Sequence, residues 1–333
     1  MARFSRRLTG LSVVLFACIG ARATSPAVAY QPAAADYPSK PVRLIEPFGK
    51  GGGPDLLARA LAPRLAELWG QSVIVENHTG AGATAAPGLV AKSPPDGYTL
   101  LLNTSAQAYS AVVAKGFDYD PLNDFIPIAP LTSQPYVLVA GSSVRVTTIS
   151  GLIASAKAKP GALTFGSTGV GTGTHLALAA FNRTAGIEAV HVPAQEDQSI
   201  ADVIMSAMEG RVAYTMAPIS FALPHIHSGR MLALGVSGMR RSPLLRDVPT
   251  ISEAGVADYN FPIWYGVWAP AGTPTAIADK LAADFARALD TPDMTAWLAK
   301  HGADRMQMTR FEFARFVLSE TERAKQILGA TVR

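Results

Sequence analysis

Two glycine-rich turns, each set between a short apolar run and a helical stretch, constrain this chain more than any other feature. The first is Glu46-Pro-Phe-Gly-Lys-Gly-Gly-Gly-Pro-Asp55, after the apolar run 42–45 and before a helical stretch at 56–68. The second is Phe165-Gly-Ser-Thr-Gly-Val-Gly-Thr-Gly-Thr-His175, after the short run 162–165 and before a helical stretch at 176–183. The turns lie about 115 residues apart, a spacing suited to two domains. Each reads as strand, turn, helix N-terminus. That order aims unpaired backbone N–H groups and a positive dipole end at whatever lies in front. Two such turns facing one another would clamp an anion. The alternative is two ordinary strand–helix turns, with Asp55 capping the first helix.

The rest of the chain repeats the same alternation. Strands are expected at 42–45, 72–76 and 98–102, with helices between them, the first capped by Gly70 and the second preceded by the turn 77–84. Pro94-Pro-Asp-Gly97 is a turn. A strand at 136–140 restarts the pattern: helix 149–158, strand 163–165, the second glycine turn, strand 189–192, helix 200–209, strand 212–216, a helix from 222, and strand 232–236. A strand at 264–269 leads to helices at 275–289, 292–301 and 310–328. Alternation of this kind predicts α/β domains built on mostly parallel sheets flanked by helices. The last helices have no sheet of their own, so they are expected to return to the first domain. The chain would then cross between domains twice, near 137–140 and 267–270, and two crossings form a hinge. The domains would be 37–137 with 268–333, and 138–267.

Charge and composition exclude several classes. The chain carries 29 bases and 25 acids. Arg3, Arg6, Arg7 and Arg22 lie within the first 29 residues, which hold no acid, so the remainder has 29 − 4 = 25 bases against 25 acids. No basic footprint for nucleic acid remains. The first 29 residues have the layout of an export signal: a basic start, an apolar run at 8–20, and Ala27-Val-Ala29 as a cleavage site. The sole cysteine, Cys18, lies in that leader. Cleavage near Ala29 therefore leaves no disulfide and no thiol, which suits a bacterial envelope. Leu15-Phe-Ala-Cys18 loosely matches a lipoprotein box, so lipidation at Cys18 is a minor alternative.

Catalytic and cofactor signatures are scarce. There is no G-x-S-x-G elbow and no phosphate-binding G-x-x-x-x-G-K-[ST]. Gly80-x-Gly82-x-x-Ala85 fits the permissive dinucleotide pattern, but the strand after it leads to Asn103 rather than to an acid. His225-x-His227 points two ways on a helix and has no neighbouring acid, so no metal is expected. His175 reads first as a capping or packing residue. The glycine turns remain the strongest signal, with Thr168, Thr172 and Thr174 adding hydroxyls. Neither core glycine run contains Lys or Arg, and Lys50 lies just outside. Neutral donors at two helix N-termini suit a carboxylate better than a phosphate.

In order and spacing, a set of short stretches resembles the Bug-type receptors of tripartite tricarboxylate transporters. They include Tyr37-Pro-Ser-Lys-Pro-Val-Arg43, Pro47-Phe48 with Gly51–Asp55, Val75-Glu-Asn77 with Gly80-Ala-Gly82, and Pro95-Asp-Gly-Tyr-Thr-Leu-Leu-Leu102. Tyr119-Asp-Pro-Leu-Asn-Asp-Phe125, Val190-His-Val-Pro193, Asp247-Val-Pro-Thr250 and Ala269-Pro-Ala-Gly-Thr-Pro274 continue the series. The resemblance covers 37–328. It implies a type II-like, two-domain periplasmic binding protein, working as a monomer. Such a protein closes on a small carboxylate without catalysis or cofactor and delivers it to the transporter's membrane subunits. A sensor that docks on a signalling protein is the alternative output.

The resemblance also implies a site: Phe48, Gly51, Gly52, Gly53 and Asp55 from the first turn, and Ser167, Gly169, Gly171, Thr172 and His175 from the second. Asn103, Thr104 and Ser105 end a strand facing the same cleft. Four departures from the family pattern are expected to set the ligand. Pro54 stands where a hydroxyl residue is usual, Lys50 puts a cation at the mouth, Ala194-Gln-Glu196 replaces Tyr-Lys-Gly, and Ala217-Pro218 replaces an Asp-Asn pair.

Overall fold

The structure is a computed structural model that describes residues 36–80, 83–113, 116–195 and 199–329. The leader with Cys18, together with Gly82 and Glu196, lies outside the described residues.

The first sheet grows from repeated strand–helix units. Strand β1 (Val42–Glu46) leads through the first glycine turn into α1 (Gly53–Trp69); β2 (Val73–Asn77), α2 (Ala85–Ala91), β3 (Thr99–Thr104) and α3 (Ala106–Val113) follow. Helix α1 buries Leu57, Leu61 and Leu65 at four-residue spacing, the stripe that lets a helix cover a sheet. Each such leucine contributes about 1.5–3 kcal/mol. Gly70 ends the helix at φ 62, its N–H reaching the Ala66 carbonyl. Strand β3 is buried along its whole length, as a strand covered on both faces must be.

After β4 (Phe125–Gln134) the chain enters the second sheet. It contains β5 (Tyr136–Ala140), β6 (Thr164–Ser167), β7 (Val190–Pro193), β8 (Tyr214–Pro218) and β9 (Leu232–Val236). Four helices accompany it: α4 (Ile149–Ala158), α5 (Gly173–Ala185), α6 (Ile200–Met208) and α7 (Ile219–His227). Strand β10 (Ile263–Pro270) then rejoins the first sheet, followed by α8 (Thr275–Leu289), α9 (Pro292–His301), the two-residue β11 (Asp304–Arg305) and α10 (Arg310–Gly329).

The two sheets share one plan. The first runs β11-β4-β10-β3-β1-β2 and the second β7-β6-β8-β5-β9. In both, the first helix-linked strand pairs in parallel with the next two (β1 with β2 and β3, β6 with β7 and β8). In both, one strand runs against its neighbours: β10 between β3 and β4, and β5 between β8 and β9. The two-domain α/β fold expected from the sequence is therefore present, with each sheet mixed by that one reversed strand and, in the first, by β11. β10 and β5 are the strands that arrive from the other sheet. The passages fall at Pro135 and between Val236 and Ile263, ahead of the stretches 137–140 and 267–270 expected from sequence. Those stretches lie inside β5 and β10, whose hydrogen-bonded interiors cannot bend as a hinge.

The C-terminal helices pack back on the first sheet, as expected, and α10 does more. Its Glu320 accepts from Tyr109 Oη at 2.8 Å and from Trp264 Nε1 at 3.2 Å within the first lobe. Its Gln326 carbonyl accepts from Arg183 of α5 at 2.8 Å, so the helix straps both lobes. Helix α3 and strand β4 were not anticipated from the sequence. Pro127 and Pro130 argue against a strand. β4 tolerates them because β10 shifts register at Trp264/Gly266 and Val267/Trp268, while β11 covers only Thr132 and Ser133 on the other side.

Candidate functional site

Strand order places the C-terminal ends of β1, β3, β6 and β8 toward one cleft, the usual ligand position for open α/β sheets. The cleft holds a cavity of about 680 Å³. Helices α1, α3, α5 and α6 all present first-turn residues there: Gly53 and Pro54, Ala106, Gly173 and Thr174, and Ile200 and Ala201. The only charged side chain among the described lining residues is that of Lys50, at the exposed mouth. Phe48, Phe221 and Ile263 supply apolar wall.

The first turn is built from beneath by a polar cluster. Asp55 is buried; its carboxylate accepts from Gly51 N–H, Arg59 Nε and Asn77 Nδ2, each at 2.8 Å. Burial works to raise its pKa, but these three donors together hold it below the ordinary value. Glu46, fully buried, accepts from Phe48 N–H at 2.8 Å and from Asn77. Burial dominates there and pushes its pKa up to about 8. Gly51 sits at φ 80, a left-handed conformation that favours glycine. Helix geometry leaves Gly53 N–H without an intrahelical acceptor, and Gly53 lines the cavity.

The second turn is stapled by its own threonines. Thr168 N–H donates to Thr174 Oγ1 at 3.0 Å, and Thr172 Oγ1 donates to the Gly169 carbonyl at 2.8 Å. Thr172 also caps α5, its Oγ1 facing His175 N–H at 3.5 Å. Behind the turn, His175 stacks on His191 with ring centres 4.3 Å apart. His175 Nδ1 accepts from Gly171 N–H at 3.1 Å, and His191 Nε2 lies 2.7 Å from Ser167 Oγ. Burial lowers both imidazoles to about 4, with the neighbouring imidazole adding to the effect at His175. Gly173 and Thr174 N–H are left free for the cavity by the same helix geometry.

Sorted by position, the expected site residues fall into two groups. Phe48, Gly51, Gly52, Gly53, Pro54, Thr104, Thr168 and Thr172 line the cavity, as does Lys50. Asp55, Ser167 and His175 do not; their side chains are bonded inward and build the turns. Gly169 and Gly171 shape the second turn at φ 127 and φ 81. Asn103 turns away, donating to Gln107 Oε1 at 2.9 Å, and Ser105 is fully buried at the start of α3. Ala194 lies off the lining, its N–H bonded to the Ser167 carbonyl at 2.8 Å. Ala217 is fully buried opposite Val137, and its neighbour Pro218 lines the cleft instead. His225 and His227 lie near the end of α7, and no group of three or more potential metal ligands occurs among the described residues.

Three of the glycines make room for neighbouring side chains. A Cβ on Gly53 would meet Tyr265 Oη at 2.5 Å, one on Gly173 would meet Tyr136 Oη at 2.3 Å, and one on Gly171 would meet Val113 Cγ2 at 2.3 Å. The Gly171–Val113 contact joins the second turn to α3 across the cleft. Tyr136, Tyr265, Phe221, Ile263 and Ser199 all line the cavity without having been singled out from the sequence. A usable signal existed for the tyrosines. A reversed strand starts where its neighbours end, so the first residues of β5 and β10 must reach the cleft.

A two-lobed α/β fold with a cleft floored by helix N-termini defines a solute-binding protein architecture. The sequence profile described as "Tripartite tricarboxylate transporter family receptor" matches residues 57–332. The chain belongs to that family. It is 31% identical to protein BugT of Bordetella pertussis over 95% of this chain and 97% of BugT. Among solved structures it is similar to Rpa4515 of R. palustris with adipate (34% identity, TM-score 0.80, 88% of this chain and 99% of that one). It is also similar to MatC of Rhodopseudomonas palustris with bound malate (29% identity, TM-score 0.79, 87% and 99%).

Proposed function

We propose that this chain is a periplasmic receptor that captures a small organic carboxylate by closure of its two lobes and delivers it to the membrane subunits of a tripartite tricarboxylate-type transporter. One observation carries the reading. Two equivalent glycine turns, one per lobe, bring the free N–H groups of Gly53, Gly173 and Thr174 to a single cavity that no acidic side chain lines among the described residues. Oriented neutral donors and helix dipoles of this kind favour an anion. The adipate and malate in the two similar structures support a carboxylate.

The donors belong to helix ends, and the reading is capture without turnover. Phe48, Gly51, Gly52, Gly53, Pro54, Thr104, Thr168 and Thr172 contact the ligand, while Asp55, Ser167, Gly169, Gly171 and His175 hold the turns. The domains meet at Pro135 and within 237–262, in place of 137/138 and 267/268. Export through the 1–29 leader puts the receptor in the periplasm. No helix among the described residues is long and apolar enough to cross a membrane. A thermal-shift panel of mono-, di- and tricarboxylates tests the proposal, since a ligand that binds the native state raises the midpoint. At least one acid should raise it by several degrees; a panel with no shift, adipate and malate included, refutes it.

A further inference from the structure

At the base of the cleft each clamp helix opens against a tyrosine hydroxyl. Tyr265 pairs with Thr104 at the end of β3, and Tyr136 pairs with Pro218 at the end of β8. Both line the cavity, and both are almost fully buried, at 3% and 1% exposure. Their hydroxyls differ in one respect. Tyr265 Oη is engaged by Gln134 Nε2 at 2.8 Å. Tyr136 Oη is buried with no hydrogen-bond partner.

A buried, unpaired phenol is unusual, because it forgoes its bonds to water and gains none in return. Packing does not explain it: the ring fills the core, and phenylalanine would fill it as well. The hydroxyl instead reaches Gly173, the first residue of α5. Glycine there is what lets the phenol oxygen stand beside the helix N-terminus. The free N–H groups of Gly173 and Thr174 and the Tyr136 O–H thus converge on one spot.

We propose that Tyr136 is a ligand-contacting residue whose hydroxyl donates to the carboxylate held between the two turns, making that end of the site accept only a group that offers acceptors. The inference rests on the carboxylate reading above. The two N–H groups converging there can only donate, so they call for an acceptor, and Ser105 Oγ, also buried without a partner, stands beside Gly173 as a second hydroxyl. Burial raises the phenol pKa well above its ordinary value, so the hydroxyl keeps its proton throughout the physiological range.

Calorimetric titration of wild type, Tyr136→Phe and Tyr265→Phe with adipate and with malate, beside unfolding of the ligand-free proteins, tests this. A hydrogen bond to a charged acceptor corresponds to about a 10- to 100-fold change in Kd. Tyr136→Phe should weaken whichever acid wild type binds by that factor, while the ligand-free midpoint stays the same or rises, since an unpaired buried oxygen has been removed. Tyr265→Phe, which strips Gln134 of its partner, should lower the ligand-free midpoint. Unchanged affinity in Tyr136→Phe, or a lowered ligand-free midpoint with unchanged affinity, overturns the inference and leaves the carboxylate reading standing. Wild type that binds neither of these nor any other acid of the mono-, di- and tricarboxylate panel overturns both.

Discussion

Closure of the cleft can be probed at Gly171. Its backbone lies at φ 81, and an added Cβ would come 2.3 Å from Val113 Cγ2, 3.2 Å from Cγ1 and 3.1 Å from Cβ. Gly171→Ala therefore has two costs. The left-handed backbone strains alanine by about 1–2 kcal/mol whether the lobes are together or apart. The clash with Val113, which sits on the opposite lobe, acts only while the lobes touch. Overpacking of this severity costs about 1–3 kcal/mol, and separation of the lobes relieves it. The first cost lowers stability; the second comes out of ligand binding, as about a 5- to 150-fold rise in Kd. Calorimetry on wild type, Gly171→Ala, Val113→Ala and the double variant separates them. Val113→Ala removes both γ carbons, so the double variant should recover at least about 1 kcal/mol of the lost affinity. Wild-type affinity in Gly171→Ala would refute the seam, and so would a loss that Val113→Ala fails to recover.

Other outcomes follow from the same geometry. Asp55→Ala frees Gly51 N–H and takes one acceptor each from Arg59 and Asn77, which stay bonded to one another and, for Asn77, to Glu46; it should destabilise the protein by about 1–3 kcal/mol in urea unfolding and weaken every carboxylate alike. Lys50→Ala removes the one cation at the mouth; it should slow association and reduce its salt dependence in stopped-flow measurements, more for dicarboxylates than for monocarboxylates. The stacked imidazoles, His175 buried and His191 half-buried, titrate at about 4 when folded and near 6.5 when unfolded. Between those values the unfolded chain binds more protons, so their contribution is full above pH 6.5 and is lost as the pH falls through 4. His191→Phe, which keeps an aromatic ring in the stack, should flatten the stability profile between pH 6.5 and 4.5. Glu46 works in the opposite sense. With its folded pKa at about 8, its contribution is present below pH 4.5 and is lost as the pH rises through 8, and Glu46→Gln should remove that decline.

Local pattern carried most of the architecture. Helices 149–158, 275–289 and 292–301 and strand 232–236 match their sequence-derived bounds, because amphipathic period and capping residues such as Thr148 and Thr291 act within a few residues of chain. Strand β4 escaped detection because Pro127 and Pro130 are acceptable only beside the register shifts of β10, a fact of tertiary pairing. The two glycine turns were legible as strand–turn–helix units, and residues of both line one cavity. The duties of their side chains were not: sequence spacing cannot tell that Asp55 and His175 bond inward to Gly51 and Gly171, or that β8 presents Pro218 rather than Ala217 to the cleft. One residue of register decides the latter.

The central claim is that one carboxylate sits between the two glycine turns. A crystal structure with adipate or malate, whichever the thermal-shift panel selects, tests it most directly. The clamp predicts one carboxylate within about 3 Å of the N–H groups of Gly53 and Gly173, with the other end of the ligand directed toward Lys50. A ligand anchored by Lys50 alone, with both helix N-termini left to water, would contradict it.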